Sequence, residues 1–365
     1  MRIAPVLTAL TVVAASVVAS PSAAQAASGV QCGETLHADA HLTHDLTCAY
    51  DQGIVLDGHV TLDLRGHRLR GDGDPRGTAI KVTDVADVVV RNGRIEHWGT
   101  GLSGSRDLDN PGTGTVSVSG IAFSRNQTGL DFSDIIGTYL PAPRYVVARS
   151  SFTHNTTALS AVAGFASVTA ATLSDNGAGV RVITGSLRVS HSTVTRSQTA
   201  FSCDESFCSL RYNTLRGNVV GVTAAVFGAD LTGNTVTGSD VAFVTFGAFG
   251  GSTLTGNHLV RNRIGVSVGE FSTVTLRKNV IERNTTGYTA DADDPSTDHR
   301  SALLDRNLFL RNGDGLVTSN DRTSLRKNVA IDNTHRGIYA PHATDLGGNI
   351  AFGNGTSPQC VGVAC

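Results

Sequence analysis

The chain has little of what an ordinary globular core is made from. Only 5% of its 365 residues are aromatic, and it holds one Trp and one Met. Large side chains are therefore too few to fill a wide interior. Charge of one sign is also missing: 29 Lys and Arg stand against 31 Asp and Glu, a formal net charge of −2. No global field then favours nucleic acid or an anionic membrane, and neither nucleic acid nor membrane insertion is expected. Lysine is nearly absent, at Lys81, Lys278 and Lys327 alone, so positive charge is almost all Arg. What is abundant is glycine, at 41 residues. Such a composition suits a narrow core of stacked short strands.

The one long apolar run lies at the start. Residues 1–26 carry a single charge, Arg2, then an apolar stretch from Ile3 to Val18 and a small-residue ending Ala24-Gln25-Ala26. This is the pattern of a secretory signal peptide with an A-x-A cleavage site, which predicts export. A membrane anchor is the alternative, but the stretch is short for a span and polar, Gly-rich sequence follows. The six cysteines all come later, as expected for an oxidising compartment. Of fifteen pairings, spacing favours Cys32–Cys48, Cys203–Cys208 and Cys360–Cys365: one staple at each end and one across a turn. No Cys pair has the spacing of a zinc site.

Internal repetition is the strongest signal. Leu210-x-x-Asn213-x-Leu215-x-x-Asn218-x-x-Gly221-Val222 returns as Leu254-x-x-Asn257-x-Leu259-x-x-Asn262-x-x-Gly265-Val266. It returns again from Leu276 to Tyr288 and from Leu304 to Leu316. The small residue before the last apolar position falls at 101, 129, 158, 179, 200, 221, 242, 265, 287, 315 and 337. The steps are 21–23, with three of 28 or 29. Within each copy the apolar residues alternate in short pieces, which is the period of a strand. Strands this short find no partner inside one copy, but each can pair in parallel with its equivalent one coil later. Gly and Asn are expected at the corners, where positive φ is needed. At the strand spacing of about 4.8 Å, roughly thirteen coils make a rod of about 60 Å. A leucine-rich repeat has a similar length but needs more Leu and a helical arc.

The Asn-x-[IVL]-x-x-Asn-x-x-Gly-[IVL] copies resemble the right-handed parallel β-helix repeats of the pectate-lyase-like superfamily. Cys32-Gly33, Cys48 and Val60-Thr61-Leu62-Asp63-Leu64-Arg65-Gly66-His67 are similar to the capped first coil of many secreted bacterial β-helix proteins. The closing Pro358 to Cys365 is similar to their stapled tail. The resemblance implies an all-β solenoid: an N-terminal cap at 27–60, the β-helix at 61–357 and a disulfide-stapled tail at 358–365. It implies little about function, because the superfamily holds lyases, hydrolases, epimerases and non-enzymes.

Two Asn columns run along the repeat, one from Asn213 to Asn349 and one from Asn126 to Asn354. They read as ladders in which each amide bonds the next coil. Asn126, Asn155 and Asn284 also sit in N-x-Thr sequences, but that pattern follows from the repeat.

Candidate chemistry lies outside these columns. The three long steps place extra residues in 107–114, 133–144 and 289–301, all at one corner of the coil. By alternation, Asp131 and Arg181 face solvent in one column, with Asp204 close by. Carboxylates beside an Arg can bind Ca²⁺ or a sugar carboxylate and can move a proton, so a catalytic role would be that of a polysaccharide lyase or glycoside hydrolase. The alternative is a solvated surface with ordinary ion pairs. Arg261, Arg283 and Arg311 form one cationic column, and Lys278, Arg306 and Lys327 form another. Stacked like charges call for a counter-anion, either an acidic polysaccharide or the nearby Glu282, Asp305 and Asp332. The acidic run from Asp291 to Asp298 lacks the spacing of an EF-hand loop. No catalytic signature of hydrolase, epimerase or esterase type is present. The sequence thus predicts an exported, monomeric β-helix that binds, and in a catalytic reading cleaves, a polysaccharide. A non-catalytic interaction rod is the competing expectation.

Overall fold

The computed structural model describes residues 29–83, 87–104, 114–133, 144–290 and 300–365. The segment read as a signal peptide and the acidic run 291–298 lie outside the described residues, as do most of the residues in the three long steps. What is described consists of short strands, with no helix among them. Every strand pairs in parallel with its equivalent in the next coil.

The strands form three faces. The first is one sheet of fifteen strands, including Thr128–Ser133, Thr157–Val162, Ala178–Ile183 and Thr199–Asp204. Its two outermost strands, Thr35–Leu36 and Cys360–Val361, are two residues each and belong to the ends, leaving about thirteen coils between them. The second face runs through Arg144–Ala148, Phe165–Thr169, Ser186–Ser190 and Phe207–Arg211. The third is narrow, with three-residue strands such as Thr193–Thr195 and Leu308–Leu310. Strand pairing begins at Thr35, so the expected N-terminal cap already contributes a coil.

The core is a set of apolar stacks. On the first face Leu159, Val180, Phe201, Val222, Phe243 and Val266 lie in register over one another, all buried. Each such side chain contributes about 1.5–3 kcal/mol by leaving water. Because these side chains reach across a narrow interior, few large residues suffice.

The Asn columns are the ladders that the spacing predicts. Asn262 shows the pattern: its backbone N–H and its Nδ2 both donate to Asn284 Oδ1, at 2.8 and 3.0 Å. Its Nδ2 also donates to the Val236 carbonyl at 3.1 Å, and its own Oδ1 accepts from Ser239 N–H. The chain of bonds is continuous from Asn213 to Asn349. It closes at the C-terminal end on side chains that replace a next coil. Gln359 Oε1 takes both bonds of Asn354, and Asp345 Oδ1 takes Asn349 Nδ2. Asn126, Asn155 and Asn284 are buried and bonded in these ladders, which leaves no exposed amide for a glycan.

The corners differ from the expectation. The ladder Asn residues do not adopt positive φ; the residue just before each one does. Lys278 (φ 54°), Arg283 (φ 53°), Arg306 (φ 56°) and Arg311 (φ 53°) are such residues, as is Gly256 (φ 62°) in an equivalent place. A non-Gly residue there costs about 1–2 kcal/mol, which the buried amide bonds of the following Asn offset. The repeat glycines at 265, 287 and 315 have ordinary φ and serve close approach instead. A Cβ on Gly265 would lie 2.5 Å from the Gly287 carbonyl oxygen of the next coil. The three disulfides join Cys32–Cys48, Cys203–Cys208 and Cys360–Cys365, as spacing predicts.

Serine interrupts the second ladder at Ser197 and Ser239, whose hydroxyls are buried without a hydrogen-bond partner. Replacing Ser239 by Asn supplies the missing amide and is expected to stabilise by about 1 kcal/mol. Asn262→Ala orphans Ser239 N–H and takes the amide donor from the Val236 carbonyl, and is expected to destabilise by about 3 kcal/mol. Chemical denaturation of the two variants beside the parent checks both signs.

Candidate functional site

Two adjoining concave surfaces lie on the second face. One depression of about 460 Å³ is lined by Phe207, Phe227, Arg188, Asp230 and hydroxyl residues. A second of about 430 Å³ continues it past Arg144, Val146, Phe165 and Ser167, sharing Ser186 and Arg188 with the first. Together they form one open trough running along the rod.

The trough's floor is set by register. Val146, Ser167, Arg188, Ser209, Asp230 and Thr253 stand in one outward column. Its wall is aromatic. Phe165 and Phe207 are two coils apart in register through Ser186, about 10 Å on the strand spacing. Phe207 stacks on Phe227 with ring centroids 5.0 Å apart; in later coils, outside the lining of the two depressions, Phe249 meets Phe271 at 6.1 Å. Phe207 is 61% exposed and Phe249 72%, although each could have been a core residue. The Cys203–Cys208 bridge ties the end of a first-face strand to a second-face strand around the turn that carries Phe207. That turn is thereby pinned, and the ring is held outward.

The three long steps enter at this same corner. Thr100–Gly104, Thr128–Ser133 and Thr286–Thr289 are first-face strands, and the chain next resumes on the second face at Thr115, Arg144 and Ser301.

The acidic and basic residues singled out in the sequence sit elsewhere. Asp131 pairs in register with Ser160, and Ser160 with Arg181, so Asp131 and Arg181 share a column on the first face, two coils apart. Ser202 follows in that column, and Asp204 lies two residues beyond it. Asp131 and Asp204 are thus three strand spacings apart, about 14 Å. Two Asp side chains cannot both reach one Ca²⁺ across that gap at 2.3–2.6 Å. Among the described residues no group of three or more His, Cys, Asp and Glu could hold a metal ion. None of Asp131, Arg181 and Asp204 lines either depression.

The cationic columns flank the third face as its corners. Three members are neutralised as the nearby carboxylates suggest: Arg283 by Glu282 at 3.1 Å, Arg306 by Asp305 at 3.6 Å and Arg311 by Asp332 at 4.0 Å. Arg261, Lys278 and Lys327 have no ion-pair partner among the described residues. Asp305 is buried and receives two bonds from Arg326, at 3.0 and 2.8 Å. The Arg326 guanidinium holds the Asp305 carboxyl below its ordinary value of 3.8.

The exposed Phe line escaped the sequence reading, although a signal exists. Phe165, Phe207, Phe227, Phe249 and Phe271 all fall after the strand that opens with the repeat's small residue and last apolar position, outside the core positions of the repeat.

Comparison with known proteins bears on the fold. A family model described as a right handed beta helix region matches residues 199–364. The chain is a right-handed parallel β-helix. Solved structures with similar folds include the A-module of a mannuronan C-5 epimerase of Azotobacter vinelandii, at 14% identity and a TM-score of 0.42, covering 92% of this chain and 93% of that one. The periplasmic alginate epimerase AlgG is also similar, at 13% identity and a TM-score of 0.37, covering 88% of this chain and 80% of that one. No curated protein matches the sequence.

A depressed carboxyl stabilises above its unfolded value and loses that contribution as pH falls through its folded value. Asp305→Asn is therefore expected to cost about 1–3 kcal/mol at pH 7. The difference from the parent should hold down to pH 5 and close as pH falls through and below 3.8. Denaturation curves collected across that range check this.

Proposed function

We propose that the protein is an exported binding module for a polysaccharide, which lies along the trough of the second face. The observation that carries this reading is the line of exposed phenylalanines beside a register-aligned column of hydroxyl and charged side chains. An exposed aromatic ring in water gains from covering its face with the C–H surface of a sugar ring. Hydroxyls and Arg188 beside it supply directional bonds to sugar hydroxyls and carboxylates. The coil repeat places Phe165 and Phe207 at a spacing of the order of a disaccharide, so an extended chain meets equivalent platforms in succession. Three disulfides with no free cysteine among the described residues fit an oxidising compartment, extracellular or periplasmic. The alginate epimerases of similar fold act, by their names, on a polysaccharide; the likeness bears on fold and the reading does not rest on it.

The reading is of binding. The residues with a chemistry for cleavage, Asp131, Arg181 and Asp204, are spread along the first face and share no cavity with the trough.

Phe207→Ala with Phe227→Ala is expected to lower affinity for the bound polysaccharide at least about tenfold, roughly 1.4 kcal/mol, with the melting temperature nearly unchanged. Isothermal titration against a panel of neutral and uronic-acid polymers measures this. Arg188→Ala should weaken the acidic polymers selectively. Unaltered affinity in the double Phe variant would remove the trough from the account.

A further inference from the structure

The third face changes character along the rod. Its strands are three residues long, with the middle side chain buried and the two flanking ones turned outward. In the first outward column Thr193, Thr214 and Thr235 give way, through His258, to Val280, Leu308 and Val329. In the second, Thr195, Arg216 and Thr237 give way, through Val260 and Glu282, to Leu310, Ile331 and Phe352. The strip ends at Ile350, 49% exposed, and Phe352, 53% exposed. The core does not require this switch, since the buried middle residue is apolar throughout: Val194, Leu215, Ile281 and Phe309. From the Leu308 coil onward both outward columns are apolar, and such a strip on a parallel solenoid calls for something to cover it.

The edges of the strip indicate what. Lys278, Arg306 and Lys327 stand at one corner, and Arg261, Arg283 and Arg311 at the other, all in the left-handed conformation that projects a corner side chain into solvent. The carboxylates Glu282, Asp305 and Asp332 answer Arg283, Arg306 and Arg311 but leave Lys278 and Lys327 on one edge and Arg261 on the other. An apolar centre flanked on both sides by flexible cations is complementary to a surface of acyl chains beneath anionic headgroups. The cations reach the phosphates while their stems and the aliphatic side chains settle at the boundary. A polysaccharide is a poor match, since the strip offers neither stacked rings nor hydroxyls. A helical partner is also a poor match, since a strand with two outward side chains per coil builds no walls for a groove.

We propose that the C-terminal half of the third face adsorbs on an anionic lipid bilayer, with no segment inserted across it. Each cation near such a surface contributes about 1 kcal/mol, so the local array prevails over the chain's net charge of −2. The surface is separate from the polysaccharide trough, so the two sites can be filled together.

Co-sedimentation of the purified protein with vesicles tests this. Phosphatidylcholine vesicles are compared with vesicles containing roughly a quarter phosphatidylglycerol, at low and physiological salt. The protein is expected to bind the anionic vesicles at least about tenfold more tightly, with the preference falling as salt rises. Lys278→Glu with Lys327→Glu should abolish binding. Leu308→Thr with Ile331→Thr should weaken it severalfold, and it gives these coils the hydroxyl chemistry that the same face already carries earlier, so folding is preserved. Phe207→Ala with Phe227→Ala should leave vesicle binding intact, which separates this site from the trough. No binding, or equal binding to both vesicle types, would overturn the proposal. So would a dimer in light scattering that the Thr variant converts to monomer, since the strip would then be a self-contact.

Discussion

The cross-coil hydrogen bond of a buried asparagine is the interaction on which the rest of this molecule depends. Asn279 Oδ1 accepts from the backbone N–H and the amide of Asn257 one coil before, and Asn257 Nδ2 also donates to the Leu231 carbonyl further back; the pattern repeats along both ladders except where Ser takes the Asn position. An amide buried at a corner with even one of these bonds missing costs about 1–3 kcal/mol, so slipping a coil by one residue is penalised at every step. The ladder therefore fixes register. With register fixed, the residue before each Asn is forced into the left-handed corner, the repeat Gly is pressed against the next coil's carbonyl, and every outward position becomes a column.

Those columns turn a one-dimensional repeat into faces with different chemistry. The first face feeds the apolar stack and carries the Asp131 and Arg181 column on its outside. The second carries hydroxyls, Arg188 and the Phe wall. The third carries threonines in its early coils and aliphatic residues in its late ones, edged by cations. Because the strand spacing is the same for all, a ligand with a repeat of its own, or an extended flat surface, meets several equivalent contacts at once. The Cys203–Cys208 bridge shows how local this engineering is: a five-residue separation constrains little of the unfolded chain, yet it closes the one turn that presents Phe207.

Much of the fold was legible because the repeat is a packing requirement written in residue type. Asn213 to Asn349, the 21–23 period and the cysteine pairing each followed from spacing alone. The corner geometry was not legible, because intrinsic preference points to Gly and Asn whereas Lys278, Arg283 and Arg311 take the left-handed conformation. Burying the next Asn outweighs the local cost at those positions. The trough was not legible because the exposed Phe residues lie at or just before the start of second-face strands, after turns of varying length, so their spacing of 42, 20, 22 and 22 blurs the period. In a chain with so few aromatics, a Phe also reads first as core. Asp131, Arg181 and Asp204 were legible as outward residues of one face, and the repeat positions 129, 158, 179 and 200 already put three coils between the two carboxylates, too far for one ion.

The most direct test of this account is the stacking distance itself. Nitroxide labels at Thr172 paired with His258, and at Thr172 paired with Val329, lie in one column separated by four and seven register steps. Electron–electron distance measurements should give narrow distributions differing by about three strand spacings, near 19 and 34 Å before label offsets. Distances that fail to grow with coil number, or broad distributions for both pairs, would contradict it.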